Sequence, residues 1–185
     1  MLAVSRNELV APNALAEIGL VFAYRLHIAE LRQIVTGLRP AMLTYGLGKA
    51  LQALADDLSE RTEIDTEICL ELVDDGTRYE TQIEQHLYRI VQQACENAVK
   101  HAQPQKIVVC GQLAPHQIEL TIKDDGRGFD GETQLDVAKL VTLKHYGLAG
   151  MFERATIIGA ELEIVSQPGQ GTRVQLVWPR PANPS

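Results

Sequence analysis

Residues 89–102 read Arg-Ile-Val-Gln-Gln-Ala-Cys-Glu-Asn-Ala-Val-Lys-His-Ala and form the second half of a helical pattern over 81–102, which Pro104 ends. Apolar residues recur along one face at three- and four-residue steps: Leu87, Ile90, Val91, Ala94 and Ala98. A polar stripe lies roughly opposite: Gln93, Asn97, Lys100 and His101. The sequence therefore predicts a helix that is buried on one side and offers amide and cationic groups on the other.

The polar stripe suits a phosphate ligand together with its metal ion. The Asn97 carbonyl oxygen is a hard ligand of the kind that Mg²⁺ accepts, and Mg²⁺ usually shares its coordination shell with waters and phosphates. Lys100 can supply a point charge to the same phosphates. Taken alone, the stripe also fits the solvated side of a surface helix, so its interpretation depends on the segments around it.

Those surrounding segments predict the fold. A helix is expected over 46–60, and polar–apolar alternation over 63–72 predicts a half-buried strand. After the long helix we expect two strands, a short helix and a final strand pair, over 107–113, 118–123, 148–158, 162–165 and 173–177. This order predicts an α+β two-layer sandwich, in which a mixed β-sheet carries helices on one face.

The first part of the chain predicts a separate helical arm. Residues 13–37 carry one wide apolar stripe, which must be buried either on the following domain or against a second copy of the chain. We therefore divide the chain into an arm with its linker, a domain and a loose Pro-rich tail, over 1–43, 44–179 and 180–185.

The composition excludes several classes of protein. The 185 residues carry a net charge of −7, so no basic surplus is available for a nucleic-acid partner. No apolar stretch approaches the roughly 20 residues of a membrane helix, and no signal peptide is evident. Three scattered cysteines and five scattered histidines give no zinc spacing, and they indicate reduced, mostly buried thiols in a cytoplasmic protein.

Three glycine-containing stretches add to the polar stripe. Residues 124–129, Asp-Asp-Gly-Arg-Gly-Phe, follow a predicted strand; their glycines let a ligand approach, and Asp124 can accept a hydrogen bond from an exocyclic amine such as that of adenine. Residues 147–151, Gly-Leu-Ala-Gly-Met, open a helix whose N–H groups suit phosphate oxygens. Residues 169–172, Gly-Gln-Gly-Thr, place a hydroxyl beside the sheet. Each stretch alone also fits an ordinary turn.

Taken in order, these stretches resemble the GHKL (Bergerat-fold) ATP-binding domain of sensor histidine kinases, in particular the subfamily that pairs with LuxR-type response regulators. The resemblance covers about residues 31–179. It rests on Leu-Arg-Pro at 38–40, an N box at 89–102, glycine boxes at 124–130 and 147–155, and the last motif at 169–172. It implies ATP and Mg²⁺ as cofactors and a homodimer in the full-length protein.

The resemblance also implies a role for each matching residue. Gln93, Asn97 and Lys100 would form the catalytic face, with Asn97 holding Mg²⁺. Asp124 would bind the adenine amine with support from Thr172, and residues 130–146 would form a mobile lid over the nucleotide. Other residues would line the nucleotide site: Lys100, His101, Gly126, Gly128, Lys144, His145, Gly147, Leu148, Gly150 and Met151.

The chain departs from the family pattern at Gln93, where the N box has Glu. A carboxylate there can relay a proton and support the waters on a metal ion, and an amide can do neither. Glu96 points off that face and does not substitute. The chain fits a kinase with weakened phosphoryl transfer and, alternatively, a catalytically inactive, nucleotide-dependent switch that docks a partner. A gyrase-type ATPase clamp fits poorly, because it needs that Glu and a following transducer domain.

No phospho-acceptor histidine is identified in the chain. In this subfamily the acceptor lies on an upstream helix and precedes an acidic residue, and none of the five histidines does so. The acceptor would therefore lie on a dimerisation domain outside this chain, which is either a fragment of a larger sensor or a stand-alone protein. The expected partners are a nucleotide, that domain and a LuxR-type response regulator, without nucleic acid or a membrane span in this chain.

Overall fold

The computed structural model describes residues 40–61, 66–130 and 146–179. All of them belong to one compact unit, Pro40–Ser185. Leu43, which precedes the predicted start of the domain, is fully buried in the core of this unit. Several predictions lie outside the described residues: the arm helix over 13–37, the lid beyond residue 130 with Lys144 and His145, and the tail.

A short 3₁₀ helix, Ala41–Tyr45, comes first among the described elements. The helices are α1 (Leu47–Arg61), α2 (Thr81–Asn97) and α3 (Tyr146–Ile157). The strands are β1 (Glu67–Asp74), β2 (Lys106–Leu113), β3 (Gln117–Asp124), β4 (Glu161–Ser166) and β5 (Thr172–Pro179). Their order along the chain is the predicted one. None of the helices in the described segments is long and apolar enough to cross a membrane.

The five strands form one mixed sheet in the order β1-β2-β3-β5-β4. β1 and β2 are parallel, with α2 in the connection between them, and all other neighbours are antiparallel. The register of β3 with β5 places Asp124 opposite Thr172. Two predicted site residues from distant segments therefore meet where one strand ends and the other begins.

The helices and one face of the sheet enclose a single core. Alternate residues of β3 point into it, namely Ile118, Leu120 and Ile122, each at most 3 % exposed. α1 packs against β1 and α3 against β4, and α2 lies between them in contact with both helices and with β3. This arrangement confirms the predicted α+β sandwich with a mixed sheet and helices on one face.

The end of α2 differs from the prediction. The regular helix stops at Asn97, and Ala98–Ala102 continues as a π-helix before Gln103 adopts a left-handed φ of 52°. The i→i+5 hydrogen bonds of a π-helix give a wider turn than those of an α-helix. The α-helical spacing that predicts one continuous stripe therefore does not apply to Lys100 and His101.

The three cysteines are free, as predicted, but only Cys95 is buried. Burial raises the pKa of the Cys95 thiol to about 12. Cys69 and Cys110 are half-buried on β1 and β2, so the prediction of mostly buried thiols is wrong for these two. The reason is that neither side chain belongs to the face of the sheet that the helices cover.

Candidate functional site

Asp124 lies at the centre of the first half of the site. It is the last residue of β3, and its carboxyl is half-buried. Its Oδ1 accepts a hydrogen bond of 3.0 Å from the Gly126 N–H, and Thr172 donates to the same carboxyl. Burial raises the pKa of Asp124 above its ordinary value, and these hydrogen bonds oppose the rise. The result is a sheltered, oriented carboxyl that can accept a further hydrogen bond.

Asp125 has a structural role that is not predicted from the sequence. Its Oδ1 accepts hydrogen bonds from the backbone N–H groups of Gln105 and Lys106, at 2.8 and 2.9 Å. The Asp125 N–H donates to the Lys106 carbonyl at 3.3 Å. Successive side chains at a strand end point in opposite directions, which is the signal that two adjacent aspartates have two environments. Asp124 therefore keeps an acceptor for a ligand, whereas Asp125 fixes the loop to β2.

The two glycines of this loop are required by contacts inside the protein. A Cβ on Gly126 would lie 2.5 Å from the Ala102 carbonyl oxygen, to which the Arg127 N–H donates at 2.8 Å. Gly128 has a left-handed φ of 58°, and its Cβ would lie 2.1 Å from the Gln167 carbonyl oxygen. From the sequence, these glycines are predicted to give a ligand access to the backbone. In the structure they let the loop lie between the π-helical end of α2 and the β4–β5 turn.

A buried hydroxyl group is hydrogen-bonded to this loop. Ser166, 5 % exposed at the end of β4, accepts a hydrogen bond of 2.9 Å from the Phe129 N–H and donates one of 2.9 Å to the Gly171 carbonyl. Its Oγ also lies 3.0 Å from the Thr172 hydroxyl. Ser166 is not among the residues predicted from the sequence. The available signal was the period of two, which places it on the same inward face of β4 as Ile164.

A cavity of about 210 Å³ opens beside Asp124 and Thr172. Its other lining residues come from β3, β4, β5 and the β4–β5 turn: Lys123, Val165, Ser166, Gln167, Gln170, Gly171 and Arg173. The predicted adenine contact therefore borders a concave surface.

The second half of the site brings α2 to the start of α3. Gln93 Nε2 donates a hydrogen bond of 2.8 Å to Asn97 Oδ1, and both residues are half-buried. Gly147, in the first turn of α3, faces this pair: an added Cβ would lie 3.0 Å from Gln93 Nε2 and 3.3 Å from Asn97 Oδ1. Because Gly147 has no side chain, the amide pair stays open on that side.

Lys100 and His101 are exposed on the π-helical end of α2. Lys100 Nζ lies 2.7 Å from Glu96 Oε2, in a surface pair of i, i+4 spacing. Exposed pairs of this kind contribute only about 0.3–0.5 kcal/mol. The lysine is therefore easily released from Glu96 to a stronger anion.

The remaining predicted contacts of the second glycine box differ in exposure. A Cβ on Gly150 would meet nothing within 4 Å. Leu148 is half-buried and packs against the core, whereas Met151 is 1 % exposed within it. Any contact of Met151 with a nucleotide must therefore come from its backbone, because its side chain fills the core.

Residues 82–182 match the model of a family described as histidine kinase-, DNA gyrase B-, and HSP90-like ATPases. The chain belongs to this family. The matched segment runs from α2 through β5, so it includes both halves of the site.

Curated relatives of this GHKL ATPase domain are sensor kinases. The chain is 33% identical over 151 residues to the sensor histidine kinase LiaS of Bacillus subtilis, and the match covers 81% of this chain and 39% of LiaS. It is also 33% identical over 151 residues to the sensor protein VraS of Staphylococcus aureus, covering 81% and 40%. The chain thus spans about two fifths of the length of these relatives.

Solved histidine kinase structures share the fold of the GHKL domain. The ATP binding domain of PrrB from Mycobacterium tuberculosis gives a TM-score of 0.52 at 25% identity, over 73% of this chain and 94% of that one. The histidine kinase domain of the blue-light activated kinase EL346 from Erythrobacter litoralis gives a TM-score of 0.56 at 19% identity, over 72% and 60%. The predicted GHKL fold is therefore confirmed.

Proposed function

We propose that this chain is the ATP- and Mg²⁺-binding catalytic domain of a sensor histidine kinase and transfers the γ-phosphoryl group of ATP to a histidine outside the chain. The observation that carries the proposal is the meeting of Asn97 with Gly147. A Cβ on Gly147 would lie 3.3 Å from Asn97 Oδ1, so the N box and the second glycine box share one surface. The family match and the sensor-kinase relatives support the assignment.

The first half of the site would hold the adenine ring. The half-buried Asp124 carboxyl would accept a hydrogen bond from the exocyclic amine, with Thr172 keeping the carboxyl in place. A hydrogen bond to a charged group contributes about 1.5–3 kcal/mol, which is enough to select a ring that carries an amine at this position. The adjoining cavity would give space for the ring beside Asp124 and Thr172.

The second half would face the phosphates and the metal ion. Among residues 40–61, 66–130 and 146–179, no group of three or more Asp, Glu, His or Cys side chains could hold a metal ion. The metal would therefore take most ligands from the nucleotide and from water, with Asn97 Oδ1 as a protein oxygen, a pattern that suits Mg²⁺. When bound, Mg²⁺ and ATP would supply the transferable phosphoryl group and neutralise its charge.

Other groups of the chain would position the phosphates. Gly147 lies in the first turn of α3, where N–H groups and the helix dipole favour anions. Lys100 would exchange its weak surface contact with Glu96 for a phosphate oxygen. His101, Gly150 and the backbone at Leu148 and Met151 complete the proposed nucleotide contacts, together with Lys144 and His145 outside the described residues.

Gln93 would lower the rate of transfer, because an amide cannot accept the proton that a carboxylate accepts. We expect Gln93→Glu to raise phosphorylation of a supplied acceptor-helix domain, within the roughly 10²–10⁴-fold range of general acid–base catalysis. Labelled ATP, Mg²⁺ and that acceptor domain would be incubated with each variant, and the acid-labile phosphohistidine would be counted. Absence of transfer from both proteins, despite nucleotide binding, would contradict the kinase assignment.

Nucleotide binding itself is tested by calorimetry with a non-hydrolysable ATP analogue. Asn97→Ala and Asp124→Ala should each weaken binding, Asp124→Ala by about tenfold or more, which is the loss expected for a hydrogen bond to a charged group. Asp56→Ala, an exposed change on α1, is the matched control and should bind as the wild type does. Equal affinity of all four proteins would contradict the proposed site.

The proposed function also implies protein partners and a location in the cell. The phosphoryl group would pass to a histidine on a dimerisation domain, and the full-length protein would be a homodimer. A LuxR-type response regulator would receive the phosphoryl group in the cytoplasm. Phosphotransfer from the loaded acceptor domain to candidate regulators in vitro tests this last step.

A further inference from the structure

The hydrogen bond from Gln93 to Asn97 has a consequence for the metal ion. Gln93 Nε2 lies 2.8 Å from Asn97 Oδ1, the same oxygen that the proposed function assigns to Mg²⁺. The two residues lie one turn apart on α2 and are both half-buried, so this hydrogen bond is partly sheltered from water. Gly147 leaves the pair open towards the start of α3.

We propose that Gln93 competes with the divalent cation for Asn97 Oδ1 and makes nucleotide binding by this chain weakly metal-dependent. This inference rests on the proposed function. A carbonyl oxygen has two lone pairs, and a hydrogen bond that occupies one of them also withdraws electron density from the other. A cation at Asn97 must therefore share this oxygen with the Gln93 amide or break the hydrogen bond.

The residue at position 93 determines which of the two side chains donates the hydrogen bond. Glutamine can donate, and here it holds the oxygen of Asn97. An ionised carboxylate only accepts, so a glutamate at this position would attract the Asn97 NH₂ group instead and release the oxygen. It would also add a negative charge close to the cation. Both effects would increase the contribution of the metal ion to the affinity for the nucleotide.

The test measures the contribution of the metal ion to nucleotide binding and does not depend on turnover. The affinity for a non-hydrolysable ATP analogue is determined by calorimetry in EDTA and in saturating Mg²⁺, and the ratio of the two affinities is the contribution of the metal. Gln93→Met keeps the length of the side chain without a donor, and Gln93→Ala is the second variant if the first folds poorly. Gln92→Ala, a neighbouring half-buried glutamine that accepts from Arg89, is the matched control.

We expect the ratio to rise in Gln93→Met and Gln93→Ala by about 3- to 10-fold, the value of one net hydrogen bond. Gln93→Glu should raise it at least as far, and Gln92→Ala should leave it unchanged. A rise in Gln93→Glu alone would mean that charge, not competition, controls the metal and would overturn the inference. Unchanged ratios with intact analogue binding would overturn the inference alone, whereas absence of binding in both media would overturn the proposed function as well.

Discussion

The Arg78 guanidinium pairs with the Glu84 carboxylate, which is 0 % exposed: Nε lies 2.9 Å from Oε1, and a terminal nitrogen lies 3.2 Å from Oε2. The same guanidinium donates to the carbonyl oxygens of Leu43 and Thr44, both at 3.1 Å. The Tyr79 N–H adds a hydrogen bond of 3.2 Å to Glu84. The pair therefore joins the 3₁₀ helix to the loop before α2 and to the first turn of α2.

Removing Arg78 should destabilise the protein more than neutralising Glu84. Arg78→Met removes the cation that pairs with this buried carboxylate, which we expect to lower the melting temperature by about 10 °C. Glu84→Gln keeps an acceptor for the Tyr79 N–H and leaves only a half-exposed arginine to water, so its loss should be smaller. Calorimetry of both variants beside Lys49→Met, an exposed change on α1, measures the difference. The reverse order of stability would contradict this account.

Neutralising Asp124 should stabilise the ligand-free protein and weaken nucleotide binding. Burial raises the pKa of this carboxyl, so the folded state loses stability as the pH rises from the ordinary carboxyl range through the raised pKa. Asp124→Asn removes that loss, and its melting temperature should exceed that of the wild type at pH 7 but not at pH 3.5. Analogue affinity should fall by about 10-fold or more, because the charged acceptor is gone.

The control for this variant is Glu119→Gln, which neutralises an exposed acid on the same strand. It should show neither the gain in stability at pH 7 nor the loss of affinity. A variant Asp124→Asn that is less stable than the wild type at both pH values would show that the carboxyl is held mainly by its hydrogen bonds rather than penalised by burial.

Much of this fold follows from sequence periodicity, since α2 and β3 each bury one regular face. The meeting of Asp124 with Thr172 follows from the order of the motifs once the sheet is correctly paired. The π-helical end of α2 cannot be predicted from the sequence, because no proline or glycine lies within Ala98–Ala102 to mark it. Ser166 is not predictable for a different reason: its hydrogen bond from the Phe129 N–H joins residues distant in sequence and depends on tertiary packing.

Acidification should destabilise the protein through His86. Burial lowers the pKa of this imidazole, the positive charge of Arg154 lowers it further, and Glu153 opposes both. Its Nδ1 is buried and has no hydrogen-bond partner within the described part of the chain. Folding therefore favours the neutral ring, and this stability is complete above the ordinary histidine pKa and declines as the pH falls below it.

Urea unfolding at pH 7.5 and pH 5.5 measures this effect. His86→Gln, which cannot be protonated, should lose less stability between the two pH values than the wild type does. His116→Gln changes an exposed histidine in the β2–β3 turn and should behave as the wild type. If all three proteins lose the same stability, His86 is not the group that responds.

The two glycines of α3 should separate helix stability from ligand binding. Gly150→Ala places a Cβ where nothing lies within 4 Å, so the better helix former should add about 0.5–1 kcal/mol and raise the melting temperature by about 2–4 °C. Gly147→Ala places its Cβ 3.0 Å from Gln93 Nε2, so the amide must shift and this gain should be lost. Because both residues are assigned to the phosphates, both variants should bind the ATP analogue more weakly, Gly147→Ala the more so because it also disturbs Asn97. Thermal melts and calorimetry on the same samples test these expectations. If Gly150→Ala is stabilised but binds the analogue as the wild type does, Gly150 does not belong to the phosphate site. Gly147 would then be the glycine of α3 that contacts the phosphates.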